Sequence, residues 1–217
     1  MAVTTYPEFE RFYDLKNEKN VLEELLEEIT DEDVFYDIGA NVGLYSCFAG
    51  SKSPEGSVYS FEPHPVNVDA LKKNLQLNDV DGTIFQMALS DEEGTFELSS
   101  EGSEAGLGEH SLNTTQSEST VSVTVRQLDS LRTEHDIPVP TIIKIDVEGA
   151  ELDVLKGATE TLSEPNCKTI YCEIHPGRIK AFGGSSEALR DHLSELGFEI
   201  EDLDREMGGR VMIKATK

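Results

Sequence analysis

Short apolar runs alternate with amphipathic stretches along most of the chain. Five runs predict buried strands, at residues 34–38, 57–62, 83–89, 141–147 and 168–174. Helical spacing follows four of them, at residues 42–50, 65–77, 151–162 and 185–196. Because strands that alternate with helices form parallel sheets with right-handed crossovers, the pattern predicts an α/β fold with an open, mostly parallel sheet.

The two ends of the chain carry other patterns. Residues 7–29 place apolar side chains at helical intervals, which predicts an N-terminal amphipathic helix. Two strands near 198–203 and 210–215 are joined by a short loop containing glycine, which predicts an antiparallel hairpin at one edge of the sheet. The sequence shows no internal repeat, so we expect residues 1–217 to form a single domain.

One segment interrupts the alternation. Residues 99–120 are rich in Ser, Gly, Glu and Thr, and the stretches on either side alternate apolar and polar positions at period two. We therefore expect an inserted hairpin at about residues 95–125. Its tip is either a flexible lid over a binding site or a solvated loop, since long loops in compact domains serve both purposes.

Composition narrows the class of protein. No apolar stretch approaches the roughly 20 residues that span a bilayer, and the N-terminus lacks the basic and apolar pattern of an export signal. The three cysteines, Cys47, Cys167 and Cys172, form no CxxC pair and lie in apolar runs, which argues against disulfides and metal clusters. These features predict a cytoplasmic protein that does not bind membranes.

The chain is strongly acidic. Its 217 residues include 18 Lys or Arg and 43 Asp or Glu, giving a formal charge of −25. Such a charge repels nucleic acids, so we expect no nucleic-acid partner. The acidic residues are spread over the whole chain, a pattern typical of proteins from halophiles, in which salt screens the self-repulsion. An ordinary acidic enzyme remains the alternative.

The first strand ends in a glycine-rich turn. Asp37 closes the strand, and Gly39, Asn41 and Gly43 lead into a helix. Glycines let a backbone approach a ligand, and a helix start offers unpaired N–H groups. A dinucleotide fingerprint would need glycine where Asn41 and Leu44 stand, so the turn favours a different nucleoside ligand.

Two further strand ends can complete a nucleoside site. Glu62 closes the second strand, where a carboxylate can accept hydrogen bonds from both hydroxyls of a ribose. Met87 and Ala88 close the third strand and are candidates to border the base of a nucleoside. Ordinary core packing explains Met87 and Ala88 equally well.

A third group of residues has acid–base chemistry. Asp146 ends the fourth strand, and Lys144 lies on the same face, where it is expected to form an ion pair with Asp146. Glu173 and His175 share one face at the end of the fifth strand. Together with Asp146 they suit general-base catalysis or a weak divalent metal site, and the sequence leaves both open.

These motifs resemble one family. FYDIGANVGLYS, FEPHPVN, MALSD and above all KIDVEGAELDVLKG are similar to the corresponding segments of FkbM-type methyltransferases, over approximately residues 34–200. The resemblance implies a seven-stranded, Rossmann-like class I methyltransferase sheet. It also implies S-adenosylmethionine as cofactor and methyl transfer to oxygen, on a hydroxyl or a carboxylate of a small molecule or saccharide.

The same resemblance assigns roles to residues. By matching motif, Asp37, Gly39, Asn41 and Gly43 would bind the methionine part of the cofactor, and Glu62 the ribose. Asp146 would lie next to the methyl group, with His175 and Glu173 as catalytic candidates on the acceptor side. Two alternatives stay open: a nicotinamide-dependent oxidoreductase and a nucleoside-binding module without activity.

Overall fold

The computed structural model describes residues 19–99, 120–207 and 209–217. Along the chain the strands are β1 (Val34–Ile38), β2 (Ser57–Phe61), β3 (Gly82–Phe85), β4 (Ala88–Leu89), β5 (Gly94–Ser99), β6 (Thr120–Arg126), β7 (Ile142–Ile145), β8 (Thr169–Ile174), β9 (Glu199–Met207) and β10 (Arg210–Thr216). The helices are α1 (19–28), α2 (Leu44–Lys52), α3 (Pro65–Leu77), α4 (Leu128–His135), α5 (Glu151–Lys156), α6 (Thr159–Ser163) and α7 (Ser186–Glu195).

The main sheet has seven strands in the order β3-β2-β1-β7-β8-β10-β9. The first five are parallel, and β9 and β10 form an antiparallel hairpin at the edge. This confirms the predicted sheet and the predicted hairpin. The chain leaves β1 towards β2 and β3, then returns to β7 on the other side of β1. Ligands of open α/β sheets bind outside the carboxyl ends of the strands at such a switch point.

Both faces of the sheet are covered. Residues 19–28 form the described part of the predicted N-terminal helix, and its buried side chains pack with Phe35, Tyr45 and Tyr171 on one face. On the other face Tyr36, Ile143 and their neighbours pack against α4–α7. Residues 7–18 of the predicted helix lie outside the described residues. The strands owe their near-continuous apolar sequences to burial on both sides.

The inserted hairpin forms a small second sheet. β5 pairs antiparallel with β6, and β4 adds to β6 in parallel, in the order β4-β6-β5. The hairpin was predicted, whereas its tip at 100–119 lies outside the described residues, so a lid there stays a prediction. Leu98, Val123 and Val125 form its apolar core.

Two expectations about elements need correction, and one helix was not predicted. The run 83–89 is two strands, because the amide of Met87 donates to the carbonyl of Phe85 in a tight turn that redirects the chain into the second sheet. The predicted helix 151–162 is two helices that separate at Gly157. The sequence pattern also did not indicate α4, whose Asp129 carboxylate accepts from the backbone amides that open α6.

The described residues also show the surroundings of the cysteines and the character of the helices. Cys47, Cys167 and Cys172 are buried and unpaired with one another. Among the helices of the described ranges, none combines the length and the apolar character needed to cross a bilayer.

Candidate functional site

An open cavity with an empty volume of about 720 Å³ lies at the switch point. Its walls come from the carboxyl ends of β1, β2 and β7 and from β4. A second, smaller cavity of about 370 Å³ lies beside it, and Gly39, Asn41 and Asp146 line both.

The glycine turn fits tightly between strands. Gly39 has a φ of 80°, and a Cβ placed there would lie 1.9 Å from the carbonyl oxygen of Asp146. Gly43 has a φ of 85°, and its Cβ would lie 2.2 Å from a methyl carbon of Leu71. Any side chain would clash with these neighbours, so the glycines close the turn against β7 and α3. Asn41 also has a positive φ, of 51°.

Glu62 is a buried carboxylate fixed at the wall of the larger cavity. One oxygen accepts from the backbone amide of Asn41 at 2.9 Å. The other accepts from the amide of His64 at 2.8 Å and from the side chain of Asn67 at 3.3 Å. These donors hold the carboxylate in one orientation. The His64 ring is buried beside it.

The far wall of the larger cavity is apolar. Phe61, Met87, Ala88, Leu89 and Leu98 all line it. Met87 and Ala88 are half-buried there. Leu98 belongs to the inserted hairpin, a contribution that the sequence did not indicate because the hairpin carries no recognisable motif.

Asp37 lies behind the glycine turn and lines the smaller cavity. Its carboxylate is buried and accepts two hydrogen bonds from Ser46, at 2.9 Å from the amide and 2.5 Å from the hydroxyl. Burial raises the pKa of Asp37 to about 6, although the Ser46 hydrogen bonds and the Lys144 charge oppose the shift. Asp37 lines the smaller cavity and Glu62 the larger one, so the two carboxylates belong to different parts of the site.

Asp146 lies where the two cavities meet. Its carboxylate is 3.7 Å from the ammonium nitrogen of Lys144, which confirms the predicted ion pair. Lys144 is buried on the floor of the smaller cavity and pairs in register with Asp37 on β1. A partly exposed carboxylate at this junction can contact ligands in either cavity.

His175 is held by carboxylates on both sides of its ring. Its Nδ1 lies 2.7 Å from Glu151, and its Nε2 lies 3.0 Å from Glu148 and 3.7 Å from Glu173. Burial lowers the pKa of His175, but the hydrogen bonds to Glu148 and Glu151 outweigh it and raise the pKa to about 10. The ring is therefore a cation at neutral pH.

Sequence reasoning missed the origin of this arrangement. In the structure Glu148 adopts a left-handed φ of 57° and Gly149 follows at 116°. This turn brings Glu148 and Glu151 to His175. The Glu-Gly pair directly after a strand was the one available signal, since such turns favour glycine.

Two arginines lie next to the buried acids. Arg178 forms an ion pair with Glu148, and Arg210 lies 2.9 Å from Glu173. Both side chains are partly exposed. With Lys144 and the His175 cation, they offset part of the negative charge of the surrounding carboxylates.

One set of residues could hold a metal ion. Asp146, Glu148 and His175 offer donor atoms within 4.8 Å of one another, so Glu148 would take the place expected for Glu173. A divalent cation there would compete with the proton for the Nε2 nitrogen of His175. It would also compete with Arg178 for the carboxylate of Glu148. Among the remaining histidines, His135 is exposed and His192 is half-buried away from the cavities, whereas His110 lies outside the described residues.

Known proteins resemble this chain in sequence. The pattern of the methyltransferase FkbM domain matches residues 37–200. The chain is 34% identical over 177 residues to the hexuronic acid methyltransferase AglP of Haloferax volcanii, covering 81% of this chain and 70% of that protein. It is 29% identical over 176 residues to the 31-O-demethyl-FK506 methyltransferase FkbM of Streptomyces tacrolimicus, covering 68% and 67%.

A solved structure resembles it in fold. Magnesium protoporphyrin IX methyltransferase from Synechocystis PCC 6803, with bound S-adenosylmethionine, superposes with a TM-score of 0.58 at 12% identity, covering 100% of this chain and 86% of that one. The likeness shows the Rossmann-like class I methyltransferase fold.

Proposed function

Because the chain belongs to the methyltransferase FkbM domain family and is an S-adenosylmethionine-dependent methyltransferase, we propose that it methylates an oxygen of an acidic saccharide. The observation that carries the proposal is that Arg178 and Arg210 form ion pairs with Glu148 and Glu173, which both lie near His175, close to Asp146. The similarity to AglP, named a hexuronic acid methyltransferase, supports it. Neither a nicotinamide oxidoreductase nor an inactive binding module gains support from the comparisons.

The cavities fit the cofactor. The larger one combines an apolar wall, suited to adenine, with the fixed carboxylate of Glu62, suited to ribose hydroxyls. Met87 and Ala88 would contact the adenine. Asp37, Gly39, Asn41 and Gly43 would hold the methionine part around the smaller cavity. When bound, S-adenosylmethionine supplies an electrophilic methyl group on a sulfonium.

Arg178 and Arg210 are suited to bind the carboxylate of the acceptor. A guanidinium presents five N–H donors in a planar fork, so it can hold a protein carboxylate and a substrate carboxylate together. In a chain of charge −25, an acidic substrate gains from cationic contacts at its binding site. Arg178 and Arg210, whose side chains are both partly exposed, can supply such contacts.

Asp146 is our candidate for the general base. It lies at the junction of the cavities, and a hydroxyl acceptor is a poor nucleophile until its proton leaves. His175 is unsuited to this role at neutral pH because its raised pKa leaves no lone pair to accept a proton. We propose instead that His175 and Glu173 position the acceptor and the arginines.

A carboxylate acceptor is the second candidate. The His175 cation favours it, because a carboxylate is already ionised and needs no base. Its product would be a methyl ester, whereas a hydroxyl gives a methyl ether. Alkali hydrolyses the ester and leaves the ether, so the two products are easily separated.

The test is an acceptor assay. The protein, incubated with methyl-labelled cofactor, should label an oligosaccharide containing a hexuronic acid and leave the matching neutral oligosaccharide unlabelled. Arg210→Ala should raise KM for the acidic acceptor by about 10- to 100-fold, the value of a charged hydrogen bond. Arg190→Ala is the control, because Arg190 forms a surface ion pair with Asp202. Equal labelling of both saccharides would overturn the proposal.

A further inference from the structure

The smaller cavity contains a buried positive charge with no assigned role. Lys144 is only 1% exposed and lines this cavity with Asp37, Tyr45 and Asp146. Its ammonium lies 3.7 Å from the Asp146 carboxylate and 5.0 Å from the centre of the Tyr45 ring. Taking a lysine out of water is costly, so a buried lysine in a cavity calls for a chemical reason.

The two cavities differ in chemistry in the same way as the two halves of S-adenosylmethionine. The larger has an apolar wall and the Glu62 carboxylate, which match a nucleoside. The smaller has a buried anion, Asp37, and a buried cation, Lys144, on neighbouring strands in register. An amino-acid group carries one positive ammonium and one negative carboxylate. The charges of Asp37 and Lys144 in the smaller cavity therefore complement it.

We propose that Lys144 binds the α-carboxylate of S-adenosylmethionine while Asp37 binds its α-ammonium, so that the smaller cavity is the site for the amino-acid end. An ammonium has three N–H donors, so Lys144 can keep its contact with Asp146 and still donate to a ligand. The residues that line both cavities, Gly39, Asn41 and Asp146, would then surround the sulfonium. This arrangement places Asp146 beside the reacting methyl group.

The competing explanation is that Lys144 only neutralises Asp37 and Asp146. Replacing Lys144 would then weaken every ligand of the larger cavity alike, because two buried carboxylates would lose their counter-charge. Binding of the α-carboxylate instead predicts a loss confined to ligands that carry that group. The inference rests on the cofactor and is independent of the proposed acceptor, so a failure of one leaves the other intact.

The experiment compares two ligands by calorimetry, with no acceptor present. The ligands are S-adenosylmethionine and its decarboxylated form, which lacks the α-carboxylate and keeps the sulfonium, the nucleoside and the amine. Wild-type protein should bind the first about 10-fold or more tightly than the second. In Lys144→Met the ratio of the two affinities should fall close to one. In Lys144→Arg it should recover most of its wild-type value.

The matched control is Lys214→Met. Lys214 is also a largely buried lysine on the sheet, held by Glu24 and Glu28 and near the Tyr171 ring, but it lines neither cavity. This variant should keep the wild-type ratio. An unchanged ratio in Lys144→Met would overturn the proposal. If Lys144→Met does not fold, the wild-type measurement still tests the proposal, because equal affinity of the wild-type protein for the two ligands would overturn it.

Discussion

Glu62 and Asp37 close neighbouring parallel strands, yet their surroundings give them different properties. Glu62 accepts from two backbone amides and a side-chain amide and faces the larger cavity. Asp37 is bonded to Ser46 and has a raised pKa. In the sequence both are acids at strand ends, and only the family resemblance gives them different roles. In the structure, their hydrogen-bond donors and the cavities that they line distinguish them.

We predict that Glu62→Gln weakens cofactor binding. The substitution puts an NH₂ group where an oxygen accepts from a backbone amide, and it removes the charge that would hold the ribose. The dissociation constant for S-adenosylhomocysteine, measured by calorimetry, should rise by about 10- to 100-fold. Glu160→Gln, at an exposed position on α6, should leave it unchanged. Wild-type affinity in Glu62→Gln would refute the ribose assignment.

Asp146→Asn should separate catalysis from binding. The amide keeps the size of the side chain and cannot act as a base, so turnover of a hydroxyl acceptor should fall by about 10²- to 10⁴-fold. Affinity for S-adenosylhomocysteine should change far less, since the ribose and adenine contacts remain. Full turnover in this variant would remove Asp146 from the mechanism.

The His175 cluster should make stability depend on pH. The pKa of His175 is about 10 in the folded protein, whereas a histidine in an unfolded chain has an ordinary pKa of 6.5. The folded state therefore holds a proton that the unfolded state loses, and this stabilisation is fully present below pH 6.5 and lost as pH rises to about 10. Its slope is ~1.4 kcal/mol per pH unit.

Urea unfolding across this pH range measures that slope. His175→Gln, which does not titrate, should unfold more easily at neutral pH and lose the slope. His135→Gln, at an exposed position, should keep it. A wild-type protein with constant stability over this range would show that His175 is not charged as inferred.

At the scale of elements, the sequence predicted the strands and helices that have a periodic hydrophobic pattern. It missed the turns and boundaries that depend on single hydrogen bonds. Strand and helix periodicity gave the parallel sheet, α3 and the closing hairpin, because burial on fixed faces determines these positions. The turn at Met87 depends on a single backbone hydrogen bond, and the boundary between α5 and α6 depends on Asp129 from a distant helix. Neither has a periodic signature.

The same limit applies to the site. Motifs located Glu62, Asp146 and His175 at strand ends, because parallel strands place their carboxyl ends together. Whether the His175 ring is a base or a cation depends on Glu148 and Glu151, which a left-handed turn brings to it. That information lies in three-dimensional contacts.

Gly157→Ala tests the boundary between α5 and α6. The glycine has an ordinary helical φ of −70°, but a Cβ there would lie 2.0 Å from the carbonyl oxygen of Ser90. We expect a loss of roughly 1–3 kcal/mol in unfolding free energy, from overpacking against backbone. Gly177→Ala is the control, since its Cβ would meet nothing within 4 Å. Equal stability of both variants would contradict this account.

For the whole molecule, charge sets the conditions under which the fold is stable. The −25 formal charge is spread along the chain, whereas carboxylates of the site form close ion pairs with Lys144, His175, Arg178 and Arg210. Salt should therefore mainly weaken the repulsion between surface carboxylates. At about 1 M ionic strength the screening length is about 3 Å, which is shorter than the distance between most of them. The close contacts around His175 are screened less.

We predict that the midpoint of thermal unfolding rises when KCl increases from about 0.1 M to about 2 M, by about 2–4 °C for each kcal/mol of repulsion removed. Sucrose at matched osmolality, which does not screen charge, separates this effect from general exclusion of a solute from the surface. Cofactor affinity should change little over the same range, because Glu62 and Asp37 act at contact distance in partly buried cavities. A midpoint that stays constant in KCl would identify the chain as an ordinary acidic enzyme, whose acidity is unrelated to salt.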